Sequence, residues 1–425
     1  MSLGGGTFIA QNKILAGAYA NTISASTVSV STSDRGVAAI GLELDWGAEN
    51  KIFRLTNSDF AKNALVLFGC NATDEKLKGL RDIFKNAKEV LVFRLNGGGT
   101  KASNTFGTAK FSGTKGNDIK IAVSVSVDNT ENFDVETYIG TTLVDSQTVA
   151  SSAQLKDNDF VVFDKTVTLA ETAGETMSGG TNGTALAHET FLSQMESFSC
   201  NAIGVTSEDS SVVKLYAAFA KMMRNDYGIK FQIVAYNYAA DSECVINVKN
   251  KPEAVYWVLG VEAGIAVNKS ALNMVYDGEF DVPADYTQSQ LEEAIKKGEF
   301  VLHKVGDVLR VLADINSLVS VTEDKGEIFK SNQTVRVADQ IVTDAAAVFN
   351  NKYLGKVQND ESGRESFWGD IRSILKSLHS IGAIEDFKDS DITVEAGNKK
   401  GSLVFSCNIT VIGTMEQLYL TCIIN

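Results

Sequence analysis

Between Asn96 and Gly183 the hydrophobic period of this chain changes, and after Gly183 it changes back. Inside that stretch Ile119, Ile121, Val123, Val125 and Val127 alternate strictly with other residues, the signature of a half-buried strand. Further short strands read at Val135–Ile139, Leu143–Val149 and Phe160–Val167, and Gly179-Gly180 with Gly183 close the segment. On both sides of it, residues at helical spacing alternate with short apolar runs. One layered core does not satisfy both patterns. The order of textures therefore predicts an all-β module, 96–183, inserted into an α/β central domain made from 25–95 plus 184–321.

The flanking stretches supply the elements. Leu65-Val66-Leu67-Phe68 reads as a short strand, and Thr73 as the cap of a helix with Leu77, Leu80, Ile83 and Phe84 on one face. Val90-Leu91-Val92-Phe93 reads as the next strand. After the module come a helix near His188–Phe198, a strand at Ala202–Val205, a helix from about Ser210 to Asp226 ended by Gly228, and a strand at Phe231–Val234. Thr287 and Gln290 form a capping box for a helix ending at Gly298, and Val301–Val311 reads as a hairpin turning at Gly306-Asp307. From 322 to 425 the pattern is that of a C-terminal α+β domain, with helices near Val335–Asn350 and Glu365–Ile381. Two apolar strands close it, one carrying Leu403, Phe405, Cys407, Ile409 and Val411, the other Leu418, Leu420, Cys422 and Ile424. Residues 1–24, opening on Gly4-Gly5-Gly6, have too few large apolar side chains for a core and read as an extended arm. The fold class is thus multidomain, α/β and α+β.

Composition removes several functions. The formal net charge is -14, which opposes a nucleic-acid binder, because such a protein needs a basic face to displace counterions. The five cysteines have no C-x-x-C spacing and an odd count, and read as small buried hydrophobes in a reducing compartment. The start MSLGGGTFIAQNK has neither the charged nor the apolar region of a secretory signal, and no window approaches ~18 apolar residues in succession, so neither secretion nor a membrane span is expected. Gly97-Gly98-Gly99-Thr100-Lys101 lacks the spacing of a phosphate-binding loop, since Lys101 is followed by Ala102, and reads instead as a domain joint. His188-Glu189 lacks the second histidine of a zinc helix, and Glu385–Asp391 lacks the order of ligands in a calcium loop. No catalytic, cofactor-binding or metal-ligating residue is nominated, and an enzyme is not expected.

One helix has a second possible use. Phe367, Ile371, Ile374, Leu378 and Ile381 make one apolar stripe at ~100° per residue, while Arg372, Lys376 and His379 gather on its flank. This is either an ordinary amphipathic surface helix or a basic docking ridge for an acidic partner.

Several segments, in this order, resemble contractile phage tail sheath proteins. RGVAAIGLELDWGAENK (Arg35 to Lys51) is similar to the family's N-terminal segment, and EAGIAVNKSALNMVYDGE (Glu262 to Glu279) to the stretch before its C-terminal domain. INSLVSVTEDKGEIFKSNQTVRVADQI and YLGKVQNDESGR carry the strongest resemblance, and MEQLYLTCIIN resembles the closing strand. Ala16-Gly17-Ala18-Tyr19 departs from the family by lacking a proline before the glycine.

The resemblance implies a structural subunit that polymerises in hexameric rings stacked helically around an inner tail tube and contracts to drive the tube through a bacterial envelope. It implies that the arm (Phe8, Ile9, Ile14, Leu15, Tyr19) and an exchanged closing strand (Leu418, Tyr419, Leu420, Ile423) pair with neighbouring subunits. It places the C-terminal domain inside, against the tube, and the clustering of Arg372, Lys376 and His379 beside the apolar stripe makes theirs the expected tube-facing helix. The implied partners are further copies of the chain, the tube protein, and baseplate and tail terminator proteins, with no cofactor, nucleic acid or membrane insertion. The implied location is a virion tail or an extracellular tail-like particle, assembled in the bacterial host cytoplasm. The competing readings are another self-assembling protein, of capsid or surface-layer type, and an α/β nucleotide-binding enzyme.

Overall fold

The computed structural model describes residues 35–424. The arm, with Phe8, Ile9, Ile14, Leu15 and Tyr19, lies outside the described residues.

The helices show where local signals sufficed. Leu65–Phe68 is not a strand: it is the last turn of α1 (Asn57–Phe68). Thr56 and Asp59 start that helix as a reciprocal capping box, and the residues it buries, Phe60, Ala64 and Phe68, recur every fourth position, so helical burial outweighs the apolar run. Asp74, rather than Thr73, caps the single turn that leads into α2 (Lys78–Phe84), by accepting from the Lys76 N–H at 3.0 Å. The next helix, α3 (His188–Met195), ends before Phe198. It is followed by α4 (Ser210–Met222), which runs on through a π turn to Gly228, where φ is +75°. A further helix, α5 (Ala254–Gly264), has no counterpart in the sequence reading, and its side chains are buried on nearly every face. The Thr287–Gln290 box opens α6 (Gln288–Lys296) as expected. The C-terminal region holds α7 (Asn332–Val348) and α8 (Glu361–Ser380).

The described chain forms two compact units. One contains Ile40–Lys78 and Glu89–Gln194. In it a four-stranded antiparallel sheet runs in the order Thr172–Thr176, Ile119–Val125, Phe133–Ile139, Thr142–Val149, and a three-stranded sheet in the order Val161–Phe163, Gly107–Ala109, Ser103–Asn104. Ile119, Ile121, Val123, Val135, Phe160 and Phe163 fill their common core, together with Trp46, whose indole N–H donates to the Val66 carbonyl at 3.0 Å. The alternation ends at Val125; Val127 lies past the strand and is 95% exposed. The chain enters and leaves this β region through a two-stranded ribbon in which Gly97 pairs with Ala185 and Asn96 with Leu186. Glycine is required there: a Cβ on Gly183 would stand 1.7 Å from the Gly97 carbonyl oxygen.

Of the described residues, the other unit takes Arg35–Ala39, Gly79–Lys88 and Met195–Ile424. Its frame is a run of parallel strands, Ala202–Val205, Gln232–Tyr236, Val245–Val248 and Glu299–Phe300, with Ile203 beside Ile233, Val234 beside Ile246 and Val248 beside Phe300. Buried strands of this kind read as continuous apolar runs. Behind them α5 lies so close to the residues after α2 that a Cβ on Gly264 would stand 1.9 Å from the Asn86 carbonyl oxygen. The hairpin Leu302–Val305 with Val308–Val311 turns at Gly306, φ +62°, as the sequence predicts.

Further along, α7 and α8 pack on the antiparallel hairpin Ile392–Ala396 with Leu403–Cys407. Phe367 is the hub of this core, its ring 5.2 Å from that of Tyr353 and 6.1 Å from that of Phe405.

Candidate assembly surfaces

The C-terminal domain closes before the chain ends. After Leu403–Cys407 the backbone is fastened by an Ile384–Val411 bridge, by the Glu385 N–H donating to the Thr410 carbonyl at 2.9 Å, and by the Ile412 N–H donating to the Ala383 carbonyl at 3.0 Å. The Gln333 side-chain amide then donates to the Ile412 carbonyl at 3.0 Å. Beyond Ile412 the described backbone has no regular structure. Among the described residues, therefore, Leu418, Leu420, Cys422 and Ile424 do not form the expected strand. The reason is physical: a strand exists only where a second backbone completes its hydrogen bonds, and none of the described backbone pairs with it. Its side chains face water, Leu418 at 85% exposure, Tyr419 at 88%, Leu420 at 81% and Ile423 at 81%. Among the described residues nothing covers this run of large apolar groups. Cys422 is exposed on the same segment, and Cys200 and Cys407 are only partly buried, so the expectation of five buried thiols holds for Cys70 and Cys244.

On α8 the stripe Phe367, Ile371, Ile374 and Leu378 is buried, whereas Ile381 lies past the helix end and is 37% exposed. The three basic residues are on the helix but do not act alike. Arg372 pairs with Asp389 at 2.5 Å, and its guanidinium sits over the Trp368 ring at 5.8 Å. His379 Nδ1 lies 3.3 Å from the Ile384 carbonyl oxygen. Lys376 is exposed and has no ion pair among the described residues.

A buried charge network escaped the sequence reading. Arg336, on the first turns of α7 and 1% exposed, reaches Glu262 Oε2 at 2.6 Å, Asp314 Oδ2 at 2.5 Å and the Lys269 carbonyl at 2.9 Å. Asp314 also accepts from the Ala271 N–H and from the Asn332 side chain, both at 3.0 Å. One turn further, Asp339 takes a two-pronged contact from Arg224 at 2.6 and 2.7 Å. Burial opposes these charges, and their partners restore them: Arg224 and Arg336 are raised above the ordinary arginine range by Asp339, and by Asp314 with Glu262, while Asp314 is held below the usual carboxylate range by Arg336. The signal was present in the QTVRVADQ stretch, but charge on a helix usually means solvent, and nothing local marks it as buried.

Gly97–Gly99 does not wrap a ligand. Gly97 is zipped against Ala185, and a Cβ on Gly99 would stand 2.2 Å from the Thr181 carbonyl oxygen. Among the described residues no group of three or more His, Cys, Asp and Glu side chains is placed to hold a metal ion, and no helix is long and apolar enough to cross a membrane.

Comparison with known proteins accounts for the whole described chain. Residues 35–95 match the tail sheath protein Gp18 domain III N-terminal region, 96–182 the phage tail sheath protein beta-sandwich domain, 181–317 the phage tail sheath protein central domain, and 324–425 the phage tail sheath C-terminal domain. The phage-like element PBSX protein XkdK of Bacillus subtilis (strain 168) is 31% identical over 469 residues, covering 100% of both chains. The crystal structure of the sheath tail protein from Desulfitobacterium hafniense superposes with a TM-score of 0.83 at 31% identity, over 93% of this chain and 97% of that one. The contracted helical sheath of the anti-feeding prophage shares the fold, with a TM-score of 0.55 at 14% identity over 93% of this chain and 95% of that one. Four matched domains in order and relatives aligned along the whole chain lead to one assignment: the chain belongs to the phage tail sheath protein family, structural subunits of contractile tails.

Proposed function

We propose that this subunit polymerises helically, as hexameric rings stacked around an inner tail tube, and that contraction of the polymer drives the tube through a bacterial envelope. The observation that carries the reading is the exposed apolar segment after Ile412, at the end of a domain already closed without it. Such a segment gains backbone hydrogen bonds and apolar cover by adding to a sheet of another subunit. On this reading 1–24 is the second exchanged element, through Phe8, Ile9, Ile14, Leu15 and Tyr19. The α/β domain of 25–95 plus 184–321 carries the β module of 96–183 as an insertion, and 322–425 faces the tube. Within that last domain Arg372, Lys376 and His379 border the tube, with Lys376 supplying the unanswered charge. The mechanism needs no fuel. The extended polymer is metastable, and triggering repacks rigid subunits while the exchanged strands, including Leu418, Tyr419, Leu420 and Ile423, hold neighbours together. The remaining partners are the baseplate and tail terminator proteins, and the site of action is a virion tail or tail-like particle.

Electron microscopy of the purified chain tests this. Hollow helical tubes are expected from the parent, and soluble subunits without tubes from Leu418→Pro, since proline removes a ladder donor and its ring disturbs pairing. Discrete particles, flat lattices or closed shells from the parent would overturn the reading. Tubes of normal length from Leu418→Pro would remove the closing segment from it.

A further inference from the structure

Glu262 is reached by arginines from two separate parts of the subunit. On one side is Arg35, the first described residue, at the root of the N-terminal segment. Its Nη2 donates to the Glu262 carbonyl at 2.6 Å and to Glu262 Oε1 at 3.1 Å, and its Nε to the Ile265 carbonyl at 3.2 Å. These carbonyls belong to the C-terminal end of α5, where a cation is favoured by the exposed backbone dipoles. The next residues are fastened as well. Asn201 Oδ1 accepts from the Gly36 N–H at 2.9 Å and the Val37 N–H at 3.0 Å, and the Gly36 carbonyl accepts from Lys88 at 2.9 Å. On the other side is Arg336 of α7, bound to Glu262 Oε2 at 2.6 Å. Each oxygen of one carboxylate thus serves a different arginine. Side-chain exposure is 9% for Arg35, 4% for Glu262 and 1% for Arg336.

We infer that Glu262 is a shared clamp that holds the root of the N-terminal arm and the C-terminal domain as one body, so that load on either is felt by the other. The inference rests on the proposed assembly only for where that load originates. The geometry of the clamp is a property of the single subunit. Two buried cations on one carboxylate cannot be independent: loss of the shared anion leaves both guanidiniums without their common partner, and loosening one arginine frees the carboxylate to follow the other. Coupling of this kind is reciprocal. Asp314, also on Arg336, keeps α7 from detaching altogether when Glu262 is neutralised. Arg35 has no second carboxylate among its hydrogen-bond partners, so the arm root is the more sensitive end.

Hydrogen exchange on the unassembled full-length subunit tests the clamp. In Glu262→Gln, amides of Val37–Leu42 and of α7 should both exchange about tenfold faster or more, while amides of Ile119–Val125 and Phe133–Ile139 keep their rates. Arg35→Lys keeps the charge but loses the forked contacts; it should speed exchange in α7, which it does not touch, and Arg336→Lys should speed exchange at Val37–Leu42. These two variants decide the matter if Glu262→Gln does not fold. A change confined to one end, no change at either, or an equal rise that includes the β region would overturn the proposal. Because the measurement needs no polymer, its failure is distinct from a failure to form tubes.

Discussion

Arg224 and Asp339 meet in the interior through two contacts of 2.6 and 2.7 Å, and neither has water to turn to if the other is lost. A buried pair is weak evidence of net stabilisation, but breaking it strands a charge. Asp339→Ala should therefore cost about 3–5 kcal/mol in chemical denaturation of the unassembled subunit, whereas Glu293→Ala, which breaks an exposed pair with Lys297, should cost less than about 1 kcal/mol. Asp82 has the opposite problem. It is buried, accepts the Glu279 N–H at 2.8 Å, and lies near the carboxylates of Glu279 and Asp277; burial first and these neighbours second push it up from 3.8 to about 6, against the pull of that hydrogen bond. The folded state therefore holds this proton more tightly than the unfolded chain does. Its contribution to stability is present below pH ~4 and lost as pH rises through about 6. Asp82→Asn retains an acceptor for Glu279 and should flatten that decline, on the order of 2 kcal/mol, when denaturation midpoints are compared from pH 4 to 7.

At the scale of elements, Arg372 and Lys376 separate two roles for α8. The Arg372–Asp389 pair is part-exposed and worth ~0–1 kcal/mol, so reversing both charges (Arg372→Glu with Lys376→Glu) should barely move the melting temperature of the subunit. Co-sedimentation with the tube protein should nevertheless fall, and in the parent it should weaken with salt as screening shortens the reach of these charges to ~8 Å. Unchanged co-sedimentation would leave α8 an ordinary amphipathic helix. The same helix illustrates what a sequence makes legible. Its stripe, the Thr287 box and the Gly306 turn are local codes, readable because period, cap chemistry and positive φ each act within a few residues. The helix α5 was not readable, because a segment buried on all sides has no polar face to set its phase. Leu65–Phe68 misled because four apolar residues fit a strand or a buried helical turn equally well, and the deciding cap at Thr56 lies nine residues before Leu65. The charged side of α7 stayed hidden for another reason: whether Arg336 faces water or Glu262 is decided by chain 74 residues away. Of the candidate site, the apolar character of 418–424 and its place at a chain end were visible, whereas the fastening that closes the domain at Ile412 without it was not.

For the whole molecule, the last backbone fastening among the described residues is at Ile412, and on the proposed reading it divides what folds from what joins. Removing the segment after Ile412 should leave the melting temperature within about 2 °C of the parent, as expected where most described residues are exposed, and abolish tubes in electron micrographs. The ribbon at the base of the β region has a different consequence. Because Gly97 and Ala185 are hydrogen-bonded neighbours, the chain departs and returns through one doorway about 4.8 Å wide. On the reading of 96–183 as an insertion, everything beyond that doorway is a cassette in a socket. On that reading a foreign domain whose termini lie equally close would replace it without shifting either strand of the ribbon, provided it covers Trp46 and Leu65, which pack into the native β core. In a polymer built from such subunits, each socket would recur at the lattice repeat, turning a mechanical sleeve into a ruler for displayed cargo.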